Sequence, residues 1–363
     1  MALVQRYADW YEKRLIRKHN ALKQQDAFSW GLAELGLDSK TNDPARALSE
    51  YVDRALADSD AFYALPDHIP YSVSDSELTF PSSIDVDSEP SQTVRARVYS
   101  GARTDYGLVV VPHWNASGAA YDALSWVLSR LFDIPIARIS LPGHDERAVT
   151  PGAIASEVCS ANIGRTIRGV RQCAVDIKAV ARWLRDEKGI ASVGLVGASL
   201  GSCVGTLAMA HDPLIESGCF IHSCASYGEA VWTGSATEHV RRELEKHVPL
   251  RDVSHYWDII SPGPAVSKLA SRRTSTTIIS ARNDSVFIPE LTARLRLIYR
   301  RAGVPLEHVV LPCGHYTIGH FPFGIAALEA VIHHIREWTG ILPLVRTSRA
   351  MHGLWPVLGV QRQ

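Results

Sequence analysis

The chain has no run of about 20 apolar residues, so nothing in it reads as a membrane-spanning helix. Its first residues, Met1-Ala2-Leu3-Val4-Gln5-Arg6, lead into a charged helical pattern instead of the apolar core of a secretion signal, and a cytoplasmic location is expected. Charge excess is also missing. Lys plus Arg and Asp plus Glu number 38 each, which leaves no overall field to recruit nucleic acid or an anionic membrane. The six cysteines, at 159, 173, 203, 219, 224 and 313, show no short regular spacing, so a disulfide scaffold is excluded and buried free thiols are expected. No His/Cys/Asp/Glu spacing matches a zinc site, and neither a metal nor another cofactor is expected. Internal repeats and low-complexity tracts are absent.

What remains is an ordinary globular composition, 46% hydrophobic and 21% charged, in 363 residues, a length that suits one large domain with extensions. Within it, Gly197-Ala198-Ser199-Leu200-Gly201 follows the apolar run Val193-Gly194-Leu195-Val196 and precedes a helical pattern of small residues, Ser202 to Ala210. Strand, tight turn and helix with serine at the apex form the setting in which G-x-S-x-G makes a nucleophile. The following helix would aim its free N–H groups at a developing oxyanion.

A serine hydroxyl needs a base, and the base needs a carboxylate to orient it. Thr276 to Ser280 reads as a β-branched strand, and Asp284 falls in the loop leaving it, before a helix opened by Pro289-Glu290. The next strand candidate, His308 to Leu311, runs into Pro312-Cys313-Gly314-His315. Ser199, Asp284 and His315 thus each end a separate strand, where open parallel sheets place their chemistry. His320 is the rival base and Glu229, after the preceding strand, the fallback acid.

These motifs resemble those of the α/β-hydrolase superfamily, over roughly residues 76 to 340. The resemblance implies a mostly parallel, doubly wound β-sheet flanked by helices. It also implies a serine hydrolase, foremost a carboxylic ester hydrolase acting on a small-molecule ester or acyl substrate. Amidase, peptidase, thioesterase and acyltransferase activities use the same triad. Pro112-His113-Trp114-Asn115 is similar to the superfamily's oxyanion loop, with Trp114 where glycine is usual and His113 structuring the loop. By that likeness the oxyanion donors are the backbone N–H groups of Leu200 and Asn115, with Trp114 as the alternative to Asn115. Pro142-Gly143-His144 resembles the turn that leaves the strand before the elbow strand, and Asp145-Glu146-Arg147 reads as ion pairs tying that loop together.

The organisation expected is an N-terminal helical extension over 1–70, a hydrolase domain over 71–340 and a tail over 341–363 that holds Trp355 and Pro356. The extension carries Val4, Tyr7, Tyr11 and Leu15 on one helical face; it either packs on the core, the preferred reading, or builds a homodimer contact. Asn162 to Lys188 has the period of a long crossover helix stopped by Gly189. Residues 228–270 read as a helical cap or lid, with Trp232 and Trp257, together with Trp114 and Phe287, expected to line the substrate pocket.

Overall fold

Ten strands form one sheet in the computed structural model, which describes residues 2–21, 23, 26–86, 88–150, 152–343 and 359–362. They are β1 (Ser72–Ser74), β2 (Glu77–Pro81), β3 (Thr93–Tyr99), β4 (Tyr106–Val111), β5 (Ile136–Ser140), β6 (Ser192–Ala198), β7 (Ile215–Ile221), β8 (Ser275–Ala281), β9 (Glu307–Leu311) and β10 (Gln361–Arg362). Their spatial order is β1-β2-β3-β5-β4-β6-β7-β8-β9-β10. Pairings from β5 through β9 are parallel, while β1, β2, β3 and β10 join antiparallel at the margins. This is the α/β-hydrolase fold.

Apolar residues on both faces make the inner strands what they are. β4 and β6 are almost wholly buried, as expected of parallel strands covered on two sides. One core layer joins the sheet to helices Pro44–Ala57, Ile163–Lys188 and Leu200–Ala210. The other joins it to helices Gly118–Phe132 and Phe323–Thr339. The long helix begins where Asn162 accepts the Arg165 N–H and ends at Gly189, at φ 67°. Arg147 reaches from the loop after β5 to Asp176 of that helix, 3.0 Å away and fully buried, so only part of the expected loop pairing is local. Arg138 and Asp145, 3.0 Å apart, supply the local part.

Pro66 to Ser76 reads from the sequence as a linker but contains β1, which pairs Ser72 with Thr79. The six cysteines are buried free thiols. Residues 344–358, with Trp355 and Pro356 of the expected tail, lie outside the described residues; beyond them β10 pairs with β9. Among the described residues, no helix is long and apolar enough to cross a membrane.

His334 shows how the helix layer is keyed to the sheet. Its ring, wholly buried, bonds the Ser217 and Thr277 hydroxyls at 2.8 Å each. Burial pushes its pKa down to about 3 from an ordinary 6.5. The unfolded chain therefore takes up a proton that the folded chain refuses. This contribution to stability is complete above pH 6.5 and is lost as pH falls toward 3, at up to about 1.4 kcal/mol per pH unit. His334→Gln should flatten urea-measured stability across that window; an unchanged slope would show that other groups govern acid sensitivity.

Candidate active site

The carboxyl ends of β4, β6, β7, β8 and β9 lie along one edge of the sheet, beside the point where the strand order reverses between β4 and β6. Open α/β sheets place their ligands there. Ser199 follows β6 directly and caps the helix Leu200–Ala210 with φ 53° and ψ −113°. A non-glycine residue in such a conformation is strained and must be held by its surroundings. Gly201 provides the hold, because a Cβ there would collide with the carbonyls of Val111 and Pro112. The helix can thus sit directly against the end of β4.

Ser199 Oγ lies 3.0 Å from His315 Nε2. On the far side of the ring, Nδ1 is 3.0 and 2.9 Å from the two oxygens of Asp284. Asp284 Oδ1 also accepts the backbone N–H groups of Val286 and Phe287 at 2.8 Å each. Burial alone would raise the pKa of this carboxyl. The facing His315 and His222, by charge, and His315 by its hydrogen bond, outweigh burial and hold it well below the usual carboxylate range. The Phe287 ring stands edge-on to His315, 5.5 Å between centroids.

His320 and Glu229 are elsewhere. His320 is exposed and packs on Tyr11, while Glu229 pairs with Arg294 at 2.6 Å. His113 bonds the Tyr121 hydroxyl at 2.6 Å, as a residue that structures its loop.

The expectation for Asn115 does not hold. Its backbone N–H donates to His144 Nε2 at 2.8 Å and is not available to an oxyanion. His144 is buried, which lowers its pKa, and its Nδ1–H donates to the Pro142 carbonyl, leaving Nε2 as acceptor. The reason is local: Asn115 takes φ 57°, which turns its amide toward the Pro142-Gly143-His144 turn. Leu200 N–H, first in its helix, has no intrahelical acceptor. The Trp114 amide directly precedes that of Asn115 in the same loop.

The pocket residues divide as well. Trp114 is half-buried, with Lys23 4.8 Å above its ring and His239 stacked on it at 6.2 Å. Trp232 is half-buried against the core. Trp257 is completely buried, its indole N–H bonded to the Ile163 carbonyl at 3.3 Å, so it anchors the 228–270 segment to the long helix and lines no open pocket.

Two side chains were not anticipated from the sequence. His222, at the end of β7 with φ 56°, is buried with its ring stacked on His315 at 4.1 Å. Its Nδ1 is 2.8 Å from Asp284 Oδ2 without the alignment of a directed hydrogen bond. It shares the strand-end signal that marked the other residues, but lies in no familiar motif. Glu12, from the helix Ala2–Asn20, is buried against the His315 loop, and nothing in its sequence context points there. Ligand-type atoms of His222, Asp284 and His315 lie within 4.8 Å of one another. Their two rings stack and share one carboxylate edge, where a zinc site would spread its ligands tetrahedrally.

By sequence, no known protein family matches the chain, and no curated protein does. Solved structures do match. Acetyl xylan esterase 1 from Thermoanaerobacterium is 14% identical over 88% of this chain and 98% of its own, with a TM-score of 0.53. An esterase of Pyrococcus furiosus is 14% identical over 75% of this chain and 92% of its own, at 0.52. A puromycin-hydrolyzing peptidase of Mycobacterium tuberculosis is 11% identical over 77% of this chain and 48% of its own, also at 0.52. The chain spans less than half the length of the peptidases it matches.

If Trp257 is an anchor, Trp257→Ala should cost about 3–5 kcal/mol in denaturant unfolding, as for other buried tryptophans. A variant of undiminished stability would return Trp257 to the list of pocket residues.

Proposed function

We propose that this chain is a serine hydrolase that cleaves carboxylic esters through an acyl-serine intermediate. The observation that carries this reading is the continuous line Ser199–His315–Asp284, with contacts of 2.9 to 3.0 Å between groups that follow three separate strands. Serine next to imidazole next to a buried, ionised carboxylate is the arrangement that makes a hydroxyl nucleophilic near neutral pH. The two esterases of similar fold and nearly full coverage support the choice of esters.

In the proposed reaction His315 Nε2 takes the Ser199 proton as Oγ attacks the substrate carbonyl. Asp284 keeps the Nδ1–H tautomer and stabilises the imidazolium that forms. The oxyanion sits at the N-terminus of helix Leu200–Ala210, held by the Leu200 N–H and by the Trp114 N–H. His315 then protonates the departing alcohol. In the second half-reaction it activates water, which releases the acid and frees Ser199. Trp114, Trp232 and Phe287 are proposed to contact the acyl or alcohol group, with residues 228–270 acting as a lid. The peptidases of similar fold favour a second reading, in which the same groups cleave an amide. Thioester cleavage and acyl transfer need no further residue.

Ser199→Ala should reduce turnover by a factor on the order of 10⁴ to 10⁶ while leaving the protein folded. A small phosphonate should label Ser199 in the wild type and leave the variant unmodified; labelling at another serine would overturn the assignment. A panel of aryl and alkyl esters, amides and thioesters separates the two readings by kcat/KM. Asp284→Asn should lower kcat by about 10⁴, because the asparagine favours the wrong histidine tautomer. Near-normal rates in that variant would remove Asp284 from the mechanism.

A further inference from the structure

The N-terminal helix touches the loop that carries His315 at one chemically specific point. Glu12 is 4% exposed, and its carboxylate accepts two backbone N–H groups through three contacts. Tyr316 N–H lies 3.0 and 3.1 Å from its two oxygens, and Thr317 N–H lies 2.9 Å from Oε2. Both amides lie at the start of the short turn Thr317–Gly319, immediately after His315. The approach depends on Gly314, where any Cβ would run into the Glu12 carboxylate. A charged acceptor on backbone amides in a buried setting is among the stronger neutral-to-ion hydrogen bonds, and its removal strands those amides.

The same helix reinforces that contact on both sides. The His19 ring lies 4.9 Å from Tyr316 and the Tyr11 ring 5.2 Å from His320. At its far end Asn20 donates to the Ser235 carbonyl at 2.8 Å, and Lys23 donates to the Ala236 carbonyl. Ser235 in turn bonds Ser285, next to Asp284, through its amide at 2.8 Å and its hydroxyl at 2.9 Å. The helix is thus bonded directly to the loop of His315, across 305 residues of sequence, and through Ser235 to the loop of Asp284.

We infer that Glu12 is a positioning residue for His315, and that the N-terminal helix is a working part of the active site. Glu12 fixes the backbone just after His315. That keeps Nε2 at 3.0 Å from Ser199 while Nδ1 stays against Asp284. A displacement of about 1 Å in a reacting group can cost about 100-fold in rate, so loss of this anchor is read chiefly in kcat. The inference rests on the serine-hydrolase reading above.

The test uses the full chain with Glu12→Ala, Glu12→Asp and Glu12→Gln, and Lys13→Ala on the exposed face of the helix as a control. Two readouts are taken well below each variant's Tm: kcat and KM on the best ester, and the rate at which a small phosphonate labels Ser199. Glu12→Ala is expected to lower kcat and the labelling rate together, by about 10- to 100-fold, with KM little changed. Glu12→Asp, which keeps the charge, should recover part of the loss, and Lys13→Ala should match the wild type. Gly314→Ala, which presses on the carboxylate from the loop side, should reproduce the Glu12→Ala signature and serves if that variant does not fold. A lowered Tm with unchanged kcat and labelling would overturn the inference and leave Glu12 as a structural anchor. A rise in KM alone would also overturn it, making the helix a wall of the substrate pocket. If wild-type Ser199 is not labelled at all, the underlying reading fails; if it is labelled and Glu12→Ala reacts at the same rate, only this inference does.

Discussion

The close contact between the helix after Ser199 and the end of β4 is the constraint on which the site depends. Gly201 lies against the Val111 and Pro112 carbonyls, with no room for a side chain between them. This contact fixes two things together. It sustains the φ of 53° that lifts Ser199 off the sheet, and it sets the helix N-terminus beside the loop that follows β4. The amides of Leu200 and of the Trp114-Asn115 loop are thereby brought into one neighbourhood. Without such packing the strained serine would relax and the donors would separate.

The second organising element is the carboxylate of Asp284. It is buried and satisfies its oxygens internally, with two backbone amides and His315, while His222 stands close by. The backbone amides hold it from its own loop, so its orientation does not depend on His315. His222 covers the other face of the His315 ring and limits how far the imidazole can swing.

Much of this was legible in the sequence because the signals are local. The long helix was marked by its apolar period, Asn162 and Gly189, and it spans Ile163–Lys188. The elbow was marked by five consecutive residues, and Asp284 and His315 by their places after β-branched runs. What failed depends on partners distant in the chain. Asn115 gave no sign that His144 would take its amide, since that bond arises from a left-handed turn meeting a second loop. Trp257 has the composition of a pocket residue, and only the packing of its indole under Ile163 shows it to be an anchor. Glu12 is one acidic residue among several in a polar helix, and its partners come from the far end of the chain.

That last separation bears on how the molecule is made. Glu12 leaves the ribosome early, yet the amides it binds belong to Tyr316 and Thr317. At synthesis rates of about 5 to 20 residues per second, Glu12 waits on the order of tens of seconds for the amides it binds. Central strands β4 to β7 can assemble in that interval, but the His315 loop cannot close until β9 is paired. The joining of first helix to last crossover is thus a late event in folding, and a nascent chain stopped short of Thr317 holds Ser199 without the histidine loop clamped beside it.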